Sequence, residues 1–223
     1  MPGFCCFRHT LPRIVPGARL YEEELCLGRQ GFISHTCIAA LLHPANHETT
    51  MSIARPGVDE YAPYYQTYID QVSGADVVPV LRSQRDSTAR FLASIAESKA
   101  GHRYAEGKWS IREIIGHLSD AERIFSYRLL RFARGDESPL AGFDENQYVP
   151  AGEFERRSLA DVAAEFTAVR DATLALVGNL GAAAQVRRGS ANGKSISVRA
   201  LAYIIAGHEA HHLRVIRERY LAG

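Results

Sequence analysis

His208 and His212 stand four residues apart, and on a helix that spacing puts two imidazoles one turn apart on a single face. At about 100° per residue, Leu201, Ile205, His212 and Val215 all fall within roughly a sixth of a turn of His208. Both rings therefore lie in the apolar stripe that must face the interior. One helix with two inward imidazoles at this spacing can supply two nitrogen ligands to a metal. The alternative is a pair of core histidines bonded to backbone or carboxylate. A third histidine, His117, lies on the flank of another stripe made by Ile114, Leu118, Ala121, Phe125, Leu129 and Phe132. Three imidazoles from two helices, with a fourth position free, describe an open metal site, and burying three without a shared partner would be unfavourable.

Other residues could complete such a site. Arg128 lies three turns beyond His117 on the same side, where it could hold a carboxylate or pair with a structural acid such as Glu122. Glu209 and Asp120 are candidate general bases for a metal-activated water. Asp144, Glu145 and Tyr148, in a long connection, could line an entrance. A metalloprotease reading with His211 as ligand is set aside, because His211 falls at the edge of its stripe and no third ligand follows downstream.

The elements that must position these residues are helices. The first is expected from Asp76 to Glu97, on Val77, Val80, Leu81, Phe91, Leu92 and Ile95, with Asp76 as N-cap. The second opens on Ser110 with Glu113 three residues on, a capping box, and runs to Ala133 before Gly135. The third runs from Ser158 to Val177, with Asp161 in the box position, and the fourth from Ser197 to Tyr220. The connection from Gly135 to Arg157 reads as too polar and too punctuated for a helix, and its length suits a segment over a site. A tyrosine-rich lead-in, Ile53 to Gly74, has Pro56 and Pro63 limiting regular structure. Asn192-Gly193 is a turn signal in the second long connection, which would be a short hairpin or a bare loop. No strand pattern of weight, phosphate-binding loop or dinucleotide fingerprint intervenes. Four amphipathic helices around one apolar core define an all-α, four-helix-bundle architecture, and bundle cores commonly build metal sites from facing helices.

Composition narrows the function classes. A formal net charge of +1 gives no field that would draw nucleic acid, and the longest apolar runs are too short to cross a bilayer. Cys5, Cys6, Cys26 and Cys37 all fall in the first fifty residues, so the body uses no cysteine chemistry and reads as cytoplasmic. That first segment, residues 1–50, holds no persistent period and is expected to be a disordered extension ahead of a domain spanning 51–223. Met51 reads as the true initiator, which would make the segment a misread upstream region. A zinc site on Cys5, Cys6 and His9 with a later cysteine matches no usual spacing.

The run Trp109-Ser110-Ile111 leading to Gly116-His117-Leu118, then Glu122-Arg123 and Arg128, then Gly207-His208-Glu209 with His211-His212, resembles the DinB/YfiT-like superfamily. The resemblance covers about Ala75 to Tyr220 and implies an up-down-down-up bundle with a divalent metal (zinc, nickel or manganese) on three histidines. Those positions carry over to His117, His208 and His212. Relatives of this kind include thiol S-transferases using bacillithiol, mycothiol or glutathione, a mycothiol-dependent maleylpyruvate isomerase and proposed metal-dependent hydrolases. Three functions follow as expectations. One is transfer of a low-molecular-weight thiol to a small electrophile, with the sulfur supplied by the cosubstrate. The second is metal-dependent hydrolysis. The third is a non-enzymatic, metal-binding stress-response protein that pairs with itself as a homodimer.

Overall fold

The computed structural model describes residues 52–222, so the cysteine-bearing segment, the initiator reading at Met51 and the boundary before it lie outside the described residues. Within them the chain forms α1 (Gln66–Ile69), α2 (Val77–Ala93), α3 (Ile111–Ala133), α4 (Glu145–Ala151), α5 (Leu159–Val177), α6 (Ala182–Gln185), strands β1 (Arg188–Ala191) and β2 (Lys194–Ser197), and α7 (Val198–Val215). A π-helical stretch, Ile216–Tyr220, ends the fourth long helix.

Each long helix starts where its cap lies. The Ser110 hydroxyl accepts a bond from the Glu113 backbone N–H, while the Glu113 carboxylate accepts one from the Ser110 N–H at 2.6 Å. Two donors at the head of α3 are thereby satisfied reciprocally. Ser158 caps α5 through the Asp161 N–H and Ser197 caps α7 through the Ala200 N–H. Asp76 does two jobs, accepting from Val78 N–H at the start of α2 and from Ile53 N–H at 2.9 Å. The second bond fastens the lead-in to the bundle.

Helices α2, α3, α5 and α7 form the four-helix bundle. Helix α3 packs on α5 and α7, and α2 packs on the same two, so α2 and α3 occupy opposite corners. One core cluster gathers Leu92 from the end of α2, Ile111, Ile115 and Leu118 from the start of α3, Leu159 and Val162 from the start of α5, and Leu213 from the end of α7. Helices α2 and α7 therefore run towards that end while α3 and α5 run away from it: up, down, down, up. The second cluster fills the other end, from Val77 and Leu81 through Leu129 and Phe132 to Leu201 and Ile205. No helix among the described residues is long and apolar enough to cross a membrane.

The connections depart from expectation in several places. The Gly135 to Arg157 segment does contain a helix: Asp144 caps α4 through the Asn146 N–H at 2.9 Å, and Pro150 is confined to its last turn. Seven residues are too few for a period to show. Helix α2 ends four residues short of Glu97, which sits in a 3-10 turn instead. The lead-in is ordered as two 3-10 turns and α1, which packs on α7. Asn192 and Gly193 both take positive φ (51° and 69°), the two-residue turn that matches strand twist, and β1 and β2 pair antiparallel around it. Leu140 bonds to the β1 side of that hairpin, donating to Ser190 O and accepting from the Asn192 N–H. Gly142 and Phe143, just beyond it, line the cavity described next.

Candidate metal centre

His117 comes from the second turn of α3 and His208 and His212 from the last turns of α7. Because these helices are antiparallel neighbours, the three side chains arrive at the same level of the bundle. The Nε2 atom of His208 stands 3.2 Å from Nε2 of His117 and 3.1 Å from Nε2 of His212. One ring nitrogen from each of the three lies within 4.8 Å of the others.

A neutral imidazole nitrogen carries either one proton or one lone pair, so a single hydrogen bond cannot satisfy His208 Nε2 towards two neighbouring ring nitrogens at once. A shared cation can. Nitrogens held at about 2.0–2.1 Å by a tetrahedral ion stand roughly 3.3 Å apart, close to the spacings found here. Burial favours the uncharged, ligating form: it holds His117 down at about 4 and, with the neighbouring rings, His212 down at about 3. His208 is pushed well below the ordinary value by burial first and by His212, His117 and His211 next. The donor set therefore fits a divalent metal.

Aromatic rings fix the imidazoles. Tyr68 stands edge-on to His208 at 5.2 Å between centroids, Phe125 edge-on at 5.9 Å, and Trp109 lies 4.8 Å from His117. Trp109 is itself tied by its carbonyl, which accepts the Tyr220 hydroxyl at 2.6 Å from the π-helical end of α7. The three histidines form one wall of a cavity of about 360 Å³. Tyr65, Phe143 and Arg128 also line it, and Glu145 is the one carboxylate among the described residues that does.

The other expected residues are placed as follows. His211 is half-buried and borders the cavity beside Tyr68 and His212, outside the cluster of three. Glu209 is buried and does not border the cavity: its carboxylate takes the Thr88 hydroxyl and pairs with Arg170 at 2.7 Å. The run from His208 to His212 does spell H-E-x-x-H, yet its glutamate is turned a quarter of a turn away and held by other partners, so it is not poised as a base. Asp120 leans on Arg123 at 3.6 Å and is also off the cavity. Pairing of Arg128 with Glu122 does not occur, because Glu122 accepts both 2.8 Å bonds of the buried Arg170 guanidinium. Asp144 is spent as the α4 cap, and Tyr148 is exposed against Phe143. Arg170 was missed in the sequence. An arginine within an apolar stripe of α5 was the available signal.

An up-down-down-up bundle with three histidines from two facing helices beside a cavity defines a distinct class of helical protein. The sequence matches the DinB superfamily over residues 81–216, which take in all three histidines, and the chain belongs to that superfamily. Among solved structures it is similar to YfiT from Bacillus subtilis, described as a probable metal-dependent hydrolase with an unusual four-helix bundle topology. That likeness is 17% identity and a TM-score of 0.55, over 73% of this chain and 89% of that one. A mycothiol-dependent maleylpyruvate isomerase is similar at 14% identity and a TM-score of 0.49, over 61% of this chain and 58% of that one. The likeness to YfiT speaks for the fold. No curated protein matches the sequence.

Proposed function

We propose that His117, His208 and His212 hold a divalent cation (zinc, nickel or manganese) and that the protein is a metal-dependent thiol S-transferase. The observation that carries this reading is the convergence of three uncharged ring nitrogens on the wall of a cavity. A divalent ion there supplies one thing, a lowered pKa for a thiol bound to it. The chain supplies the rest. The three imidazoles stay unprotonated at neutral pH because they are buried. Tyr65, Tyr68 and Phe125 line the cavity with aromatic surface beside the histidines. The described residues contain no cysteine, so the sulfur comes from a low-molecular-weight cosubstrate. Its thiol proton passes to solvent, and the carbon–sulfur bond forms as the leaving group departs from a small electrophile.

Thiol transfer is preferred to hydrolysis because the two carboxylates best placed along the helices to act as base, Glu209 and Asp120, do not border the cavity. Glu145 supports the second reading, metal-dependent hydrolysis, since it is the one carboxylate among the described residues on the cavity wall and could deprotonate a water there. The test is turnover of monochlorobimane by metal-loaded protein with and without bacillithiol, mycothiol or glutathione. Conjugation that needs both thiol and metal supports transfer. Hydrolysis of a chromogenic ester or amide without thiol, abolished by Glu145→Gln, would replace it with the second reading.

A further inference from the structure

Two arginines are buried in the described residues, and the fold treats them differently. Arg170 is wholly buried and meets two carboxylates, Glu122 and Glu209. Arg128 is only 4% exposed, yet no carboxylate pairs with it among the described residues. Its single hydrogen bond there runs from one terminal nitrogen to the Ala141 carbonyl at 2.8 Å. A buried guanidinium without a counter-ion is unfavourable unless something else supplies negative charge. Arg128 lines the same cavity as the three histidines, so the space in front of it is open to a ligand.

The surroundings shape what that ligand must be. The Arg128 Cζ lies 5.9 Å from the Phe125 ring centre and 5.9 Å from that of Phe143, so aromatic surface borders the guanidinium. A guanidinium so placed presents its N–H fork to a planar, two-oxygen acceptor better than to a point charge. Phe125 also stands 5.9 Å from the His208 ring, which puts the Arg128 Cζ at most about twice that distance from the His208 ring. One small molecule can therefore reach both.

We propose that Arg128 is an anion subsite of this cavity, and that the small molecule bound beside the histidines carries a carboxylate attached to a flat apolar body. This deepens the proposed function and rests on the cavity being a substrate site. Of the two reactants there, it is the one lying between the histidines and Arg128 that must bear the charge.

The chain's one tryptophan, Trp109, lines the cavity, so its fluorescence reports occupancy directly. The test is titration of full-length protein, stripped of metal by a chelator, with benzoate and with its neutral isostere benzamide. Stripping removes the other means by which a carboxylate could bind. Benzoate should bind about tenfold or more tightly than benzamide, the worth of a charge-assisted hydrogen-bond pair. Arg128→Met should abolish that preference and Arg128→Lys should keep part of it. His208→Ala should leave it intact. Equal binding of the two probes by the wild type, or a benzoate preference that survives Arg128→Met, overturns the proposal. The wild-type comparison stands even if the methionine variant fails to fold. Metal uptake, measured after returning divalent ions to the stripped protein, separates the two ideas: a protein that takes up no metal but still prefers benzoate contradicts the metal reading and upholds the anion subsite.

Discussion

Gly207 lies one residue before His208, where α7 lies against the backbone of the lead-in at Tyr68, and substituting it tests whether that approach positions the site. A Cβ at Gly207 would stand 2.0 Å from the Tyr68 carbonyl oxygen, 2.4 Å from the carbonyl carbon and 3.0 Å from Cα. These are backbone atoms, so no change of rotamer relieves the overlap. Comfortable contact begins near 3.5 Å, and α1 or α7 must therefore move by more than about 1 Å. Two effects oppose each other in Gly207→Ala. Helix propensity favours alanine by about 1 kcal/mol, whereas overpacking costs about 1–3 kcal/mol and more where backbone is rigid. With an overlap this deep the steric effect wins, leaving a net loss of roughly 2 kcal/mol. For a domain of this size that is a fall in Tm of about 4–8 °C. Thermal unfolding of chelator-treated protein, followed by circular dichroism, reads it. Because Tyr68 also packs edge-on to His208, metal affinity should fall in the same variant. A Tm raised by about 2–4 °C, which is what propensity alone would give, would refute the packing argument.

Two further outcomes follow from buried charge. Arg170→Leu strands two buried carboxylates and should cost roughly 3–5 kcal/mol, whereas replacing Arg170, Glu122 and Glu209 together by leucine should recover most of it. Urea unfolding of the single and triple variants checks this, and a single variant within about 1 kcal/mol of wild type would contradict it. Stability of the metal-stripped protein should also depend on pH. Folded His117 and His212 titrate at about 4 and about 3, below the unfolded imidazole value, so on acidification the unfolded chain takes up protons that the folded chain refuses. The resulting loss of stability is nil above about pH 7.5 and grows by up to about 1.4 kcal/mol per pH unit per imidazole as pH falls from 6.5 towards 4, so the urea midpoint falls on acidification. Urea midpoints at pH 7.5 and 5.5 measure it, and identical midpoints would count against neutral, buried histidines.

The residues that made the bundle legible carry local signals. Ser110 with Glu113, Ser158 and Ser197 mark three helix starts, and the stripes around His117 and His208 turn both rings towards the interior. The superfamily and its four-helix architecture followed from the same stretches. What stayed hidden depends on residues far apart in the chain. Glu122 and Glu209 meet the same Arg170, 48 and 39 positions away, and no spacing rule links them. For that reason Glu209 read as a base and Glu122 as a partner for Arg128. Helix α4 was missed because seven residues do not establish a period. The hairpin was half-legible: Asn192-Gly193 gave the turn, while the flanking strands, four residues each and mostly polar, gave no alternation to read.

The most direct measurement is the metal content of the untagged protein and of its His208→Ala variant, by elemental analysis after identical purification without added chelator. About one divalent ion per wild-type chain is expected, and almost none in a variant that keeps its helical circular-dichroism spectrum. A folded wild type that holds no metal when divalent ions are supplied, or a variant that retains a full equivalent, would contradict it.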